Sequence, residues 1–144
     1  MESGQVIKEL PGHNDDITAI AFSPDGSLLA SGSGDTNIKL WNVKKGSFIE
    51  TLRGNTSGVL ALDFNDDGSR LVSGSGDKLF GGKSELIVWD VKKSKKITDL
   101  RGNEGYISKV IYRGNRIYSI GNDTVLKVFD GDDFSELSPL FRWT

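Results

Sequence analysis

Apolar positions in this chain fall in short runs separated by turn-forming residues. Residues 17–22 read Ile-Thr-Ala-Ile-Ala-Phe and precede Ser23-Pro24-Asp25-Gly26; a second run occupies 28–32, and Gly34-Asp35 leads into a third at 37–42. Runs of this length with Gly, Pro, Asp and Asn between them predict strands joined by tight turns, here a small antiparallel meander. The pattern returns at 59–64, 70–74 and 85–91, and again at 107–112, 116–121 and 125–130. Further half-polar runs lie at 5–10, 48–52, 96–100 and 136–140, as suits strands at a sheet edge. From the Gly that opens each copy to the Asp before its third run is 23 residues (Gly12 to Asp35), 23 (Gly54 to Asp77) and 21 (Gly102 to Asp123). Self-similarity at this period predicts a repeat architecture. With no useful helical periodicity anywhere, the fold class expected is all-β.

The first copy opens on Gly12-His13 and closes on Trp41-Asn42; the second runs from Gly54-Asn55 to Trp89-Asp90, and the third from Gly102-Asn103 to Phe129-Asp130. These residues resemble the WD-repeat family of β-propellers, over about residues 5–141. The resemblance implies three four-stranded blades in one domain spanning 1–144, with repeats at about 12–53, 54–101 and 102–141. Residues 5–10 would be an additional outer strand. It also implies a structural role for His13, Ser31, Asp35 and Trp41: the His bridges Asp and Ser, and the Ser accepts from the Trp indole. The matching positions later in the chain are Ser73, Asp77 and Trp89, then Ser119 and Asp123. Asn55, Asn103 and Phe129 depart from the pattern, so the second and third blades are expected to be held less firmly.

Composition narrows the alternatives. The 144 residues are 36% hydrophobic and 26% charged, with a net charge of −2 and no Cys. This is ordinary for a globular domain and gives no global attraction to nucleic acid or an anionic membrane. It also excludes a disulfide framework and thiolate metal sites. No apolar run is long enough for a membrane span, and Met1-Glu2-Ser3-Gly4 does not open a signal peptide. The expectation is an intracellular protein, cytoplasmic or nuclear.

Three arrangements mimic catalytic or ligand motifs. His13, Ser31 and Asp35 are the residue types of a hydrolase triad, but no nucleophile elbow surrounds Ser31. The stretch 76–84 nearly spells a phosphate-binding loop, yet Asp77 stands where the first Gly is required and a strand follows instead of a helix. Asp63 to Gly68 fits the first half of a calcium loop, but Gly74 occupies the place of its bidentate Glu. We therefore expect no enzyme activity, no cofactor and no metal.

Binding residues follow from the resemblance. The family's partners touch the narrower propeller face, at residues flanking the start of each inner strand and before the network Asp. Here those are Asp16 and Thr18, Gly58 and Leu60, Tyr106 and Ser108, with Asn122. The insertion 78–84 belongs to the same face and adds Leu79 and Phe80. Lysine pairs Lys44-Lys45 and Lys92-Lys93, with Lys95-Lys96, belong on the opposite face. Through them an RNA- or DNA-associated scaffold is the alternative to a protein-interaction scaffold, and is not favoured, because the basic footprint is local. Propellers close with about four to eight blades, so three blades imply an open arc. Its missing blades would come from a second copy or, preferred here, from other chains.

Overall fold

A computed structural model describes residues 4–79, 84–101, 103–137 and 141–142. Twelve strands form three antiparallel sheets, and no helix occurs among the described residues. The first sheet orders β1 (Ile17–Phe22), β2 (Leu28–Ser33), β3 (Ile38–Asn42) and β4 (Ser47–Leu52) from inside to outside. The second repeats this with β5 (Val59–Phe64), β6 (Arg70–Ser75), β7 (Leu86–Asp90) and β8 (Lys95–Leu100). The third contains β9 (Ile107–Arg113), β10 (Arg116–Gly121), β11 (Val125–Asp130) and β12 (Phe141–Arg142). The sheets stack as blades of an open arc, with the inner strand β5 packed between β1 and β9.

Each joint between blades is a hydrophobic layer, and the residue pattern explains why. A register shift between Val59 and Ala61 re-phases β5, as one inserted residue does in a β-bulge. Val59, Leu62 and Phe64 consequently face backwards onto Ala30, Ile38, Leu40 and Leu52 of the first blade. Ala61 faces forwards, joining Val72, Leu86, Val88 and Leu100 against Ile107, Val110, Tyr112, Ile117 and Phe129. Both faces of the middle blade are thus covered, which is why its strands are apolar on both sides.

Residues 5–10 pair with no sheet, and Val6 and Ile7 are exposed. Within the described residues β3, β7 and β11 each already have an outer neighbour, so residues 5–10 would pair only with a third strand outside them. The segment instead lies along the first blade, where Lys8 covers Gly46. In the third blade Phe141 stands opposite Leu126, the register held by Leu52 opposite Ile38 and Leu100 opposite Leu86, and residues 138–140 of the expected outer strand lie outside the described residues. Glu136 bridges Phe129.

Candidate functional site: the blade network and the inner-strand rim

In the first blade the turn after Gly12 brings His13 between β2 and the β2–β3 turn. Its Nδ1 lies 3.0 Å from Asp35 Oδ2 and its Nε2 2.8 Å from Ser31 Oγ. Trp41 Nε1 donates to Ser31 Oγ at 2.9 Å. A neutral imidazole carrying its proton on Nδ1 satisfies every group in one direction: indole to hydroxyl, hydroxyl to Nε2, Nδ1–H to carboxylate. Burial pushes the Asp35 carboxyl up, but the amides of Asn14 and Asn37 and the His13 ring outweigh it and hold its pKa at about 2. Ser31 is buried, and the His13 side chain is 2% exposed. This hydroxyl has an indole on its oxygen and no open approach for a substrate.

The third blade reaches the same end with different groups. Ser119 Oγ donates to Asn103 Oδ1 at 2.8 Å, and Asn103 Nδ2 donates to Asp123 Oδ1 at 2.9 Å and to the Val125 carbonyl at 2.6 Å. Asp123 also accepts from the Glu104 amide, as Asp35 does from the Asn14 amide. The expectation that Asn103 interrupts this blade is therefore corrected. A primary amide offers one acceptor and two donors, enough to bridge a hydroxyl and a carboxylate. Only the indole is missing, replaced by the buried Phe129.

The second blade is the one that departs. Trp89 Nε1 donates to Ser73 Oγ at 2.9 Å, but the buried amide of Asn55 makes no hydrogen bond through either atom. Asp77 accepts from the Leu79 amide at 2.7 Å, within its own turn. Glu85 instead accepts from the Thr56 amide at 2.6 Å and the Thr56 hydroxyl at 3.1 Å. Six inserted residues between Asp77 and Trp89 put Glu85, not Asp77, at the foot of the third strand.

Among the residues expected on the narrower rim, Asp16 is exposed and its carbonyl accepts from the Gly34 amide at 3.0 Å. The Thr18 hydroxyl donates across the first joint to the Val59 carbonyl, so it is engaged in blade packing. Leu60 is half-buried and Ser108 exposed. Tyr106 and Asn122 are brought together, the Tyr106 amide donating to Asn122 Oδ1 at 3.1 Å. Lys78 Nζ lies 5.7 Å from the Tyr106 ring centroid, which leans the insertion of the second blade towards the third. Leu79 is 84% exposed, and Phe80 lies outside the described residues. The pairs Lys44-Lys45 and Lys92-Lys93 are exposed in the turns after β3 and β7, at the other end of the blades.

Residues that sequence reasoning read only as a calcium-loop mimic, Asp63 and Asp66, join Arg70, which it passed over, in stitching the second joint. Asp63 Oδ2 accepts from the Tyr112 amide at 2.9 Å and Arg113 Nη1 at 2.9 Å, and Asp66 Oδ2 accepts from the Gly114 amide at 2.8 Å. Arg70 Nη1 donates to the Gly131 carbonyl at 2.7 Å. The available signal was a charge at position 63, where the first copy has Ala21.

The family model for the WD domain, G-beta repeat, matches residues 4–42 and 46–80, more than half of the chain. This chain belongs to the WD-repeat family. Its relatives include the Drosophila melanogaster Protein Notchless, 53% identical over 34 residues, which are 24% of this chain and 7% of that protein. The Schizosaccharomyces pombe periodic tryptophan protein 2 homolog is 37% identical over 43 residues, 30% of this chain and 5% of that protein. The solved structure of U3-55K superposes with a TM-score of 0.80 at 26% identity over 90% of this chain and 40% of that one. The RRP9 WD40 repeats give the same TM-score and identity, covering 90% and 39%. The chain thus spans less than a tenth of these curated relatives and under half of these structures.

Proposed function

We propose that this chain is a non-catalytic protein-interaction scaffold, supplying three WD-repeat blades to an assembly with other proteins. One observation carries the proposal. Ile17, Ile20 and Phe22 on the outer face of the first blade are 53%, 61% and 56% exposed, while their counterparts Val59, Leu62 and Phe64 are buried between blades. An apolar face of this kind, with buried equivalents elsewhere in the molecule, supports packing against a further surface, whether another blade or a partner protein. The lack of chemistry is supported by Ser31, whose hydroxyl is buried and committed at both ends. Family membership supports a scaffold reading as well.

The second contact region in this proposal is the narrower rim. Asp16, Tyr106, Ser108 and Asn122 would meet a partner there, with Tyr106 as the anchor because a rigid aromatic with a polar tip suits that role. Thr18, Leu60, Leu79 and Phe80 belong to the same proposal. The test is retention of co-purifying proteins by tagged full-length chain, compared with Tyr106→Ala and with Lys92→Ala/Lys93→Ala, after equal melting has been shown. Loss in the Tyr106 variant alone is expected. Loss only in the lysine variant would move the partner to the opposite end, and nuclease-sensitive loss there would favour nucleic acid.

A further inference from the structure

The turn that follows each third strand ends on a residue of positive φ: Gly46 at 60°, Ser94 at 54° and Phe134 at 63°. Each is the fifth residue after Trp41, Trp89 or Phe129. A bulky side chain in that conformation is held only where its surroundings fix it. Phe134 is fixed at the second joint. The Arg70 guanidinium lies 5.2 Å from the centre of its ring, and the ring packs on the buried layer that holds Tyr112 and Phe129. Arg70 also donates to the Gly131 carbonyl at 2.7 Å and to Tyr112 Oη at 3.2 Å. Arg70 and Phe134 thus span the wedge between the second and third blades with the chain's own side chains.

The first joint has neither group. Leu28 stands in the place of Arg70, two residues after the turn glycine in each blade, and Ser94 stands in the place of Phe134. Between them, away from both end faces, lies a groove of about 460 Å³, within the range of about 300–1,000 Å³ usual for ligand pockets. Leu28, Leu40, Ile49 and Val91 make it apolar, and Ile49 is 45% exposed. The neighbouring Glu50 is not part of the lining. Lys92 borders the groove beside Lys93, and both are exposed. The acidic side chain of the lining, Asp67, is turned onto Ser69, accepting from its amide at 2.9 Å and its hydroxyl at 2.5 Å. The two turns are opposite in charge: the one that fills the second joint reads Asp132-Asp133-Phe134, and the one that borders the first reads Lys92-Lys93-Ser94.

We propose that the groove of the first joint docks an acidic segment of a partner protein through one aromatic side chain, with the flanking carboxylates towards Lys92 and Lys93. The ring takes the place that Phe134 takes at the second joint and is the anchor, as desolvated aromatics are at interfaces. The lysines steer the approach and, screened by salt, add little affinity. Losing them therefore does not release a partner that also holds the rim of Tyr106. The proposal rests on the scaffold reading above and adds to it a surface and the chemistry of what binds there.

The test is fluorescence anisotropy of a labelled peptide, Gly-Asp-Asp-Phe-Ser-Glu, the sequence 131–136, titrated with the full chain. Saturable binding is expected, and the same peptide with Ala for Phe should bind at least about tenfold more weakly. Ser94→Phe, which supplies a ring of its own, should block the groove and lower affinity to the same extent. Leu28→Arg/Ser94→Phe, which copies the second joint, takes its place if the single variant does not fold. Lys92→Ala/Lys93→Ala should bind only slightly less tightly, with a weaker salt dependence. No saturable binding by the wild type, or undiminished binding by the folded Ser94→Phe variant, overturns the inference. Equal binding of the Ala peptide also overturns it, because the lysines would then attract any polyanion, nucleic acid included. Where co-purifying proteins are still lost with Tyr106→Ala in those cases, the scaffold reading stands without the groove.

Discussion

Asn103 holds Ser119 at 2.8 Å through Oδ1, the place that His13 Nε2 takes against Ser31 in the first blade. Its Nδ2 then reaches Asp123 at 2.9 Å. Two unlike side chains therefore make the same bridge between hydroxyl and carboxylate. Removing either leaves polar groups beneath it without a partner, which costs about 1–3 kcal/mol. We expect His13→Ala and Asn103→Ala to destabilise to a similar degree in chemical denaturation. Asn55→Ala should be near neutral or stabilising, because its amide makes no hydrogen bond now. Asn55→Ala as the most damaging of the three would contradict this assignment.

A Cβ on Gly74 would lie 2.5 Å from Ile107 Cγ2 across the second joint, which predicts coupling between the two residues. Gly74→Ala should destabilise by about 1–3 kcal/mol through overpacking against Ile107, and Ile107→Ala by about 2–5 kcal/mol through the cavity it leaves. Together the two changes complement in size, so the double variant should lose at least about 1 kcal/mol less than the sum. Strict additivity in a urea double-mutant cycle would show that the two residues do not share one space.

Acid sensitivity follows from Asp35. Its folded pKa of about 2 lies below the ordinary 3.8. The carboxylate therefore contributes stability in full above about pH 5 and loses it as pH falls from there to about 2, a term of about 2 kcal/mol. Asp25 adds to the same window, held at about 2 by the amide and hydroxyl of Ser27 and the hydroxyl of Ser23. Asp35→Asn should lower stability at pH 7 and flatten part of the decline below pH 5. Melting curves of the two proteins that run parallel from pH 7 to pH 2 would contradict the assignment.

The second joint separates a useful ion pair from an incidental one. Arg113 is 62% exposed on its side chain, whereas Asp63 is 19% exposed and also accepts from the Tyr112 amide. Asp63→Ala is expected to cost about 1–3 kcal/mol by orphaning that amide. Arg113→Ala should cost under about 1 kcal/mol. Equal losses in thermal melts would assign the value of the contact to the charge instead.

Much of this was legible in the chain itself. Gly, Pro and Asp punctuation set the strands of all three blades, and the resemblance to the WD-repeat family grouped His13, Ser31, Asp35 and Trp41. What was not legible depended on pairing partners or on substitution chemistry. Residues 5–10 alternate like a strand, but alternation says nothing about whether a sheet edge is open to receive them. Asn103 reads as a departure until its two amide atoms are seen to span the same gap as an imidazole. Asp77 keeps its sequence position after Ser73, yet six inserted residues hand the Thr56 amide to Glu85. Gly32 and Gly74 recur in the sequence within a repeated Ser-Gly-Ser-Gly-Asp, but their meaning required the branched residues Val59 and Ile107 that pack against them.

The scaffold account turns most directly on what covers Ile20. A photo-crosslinking amino acid at position 20 of tagged full-length chain, with position 50 on the exposed outer strand as control, reports contacts inside the cell. The account predicts a crosslink from position 20, absent from position 50, to a polypeptide surface packed on that face, whether a further blade or a partner. No product from position 20 at all would contradict it.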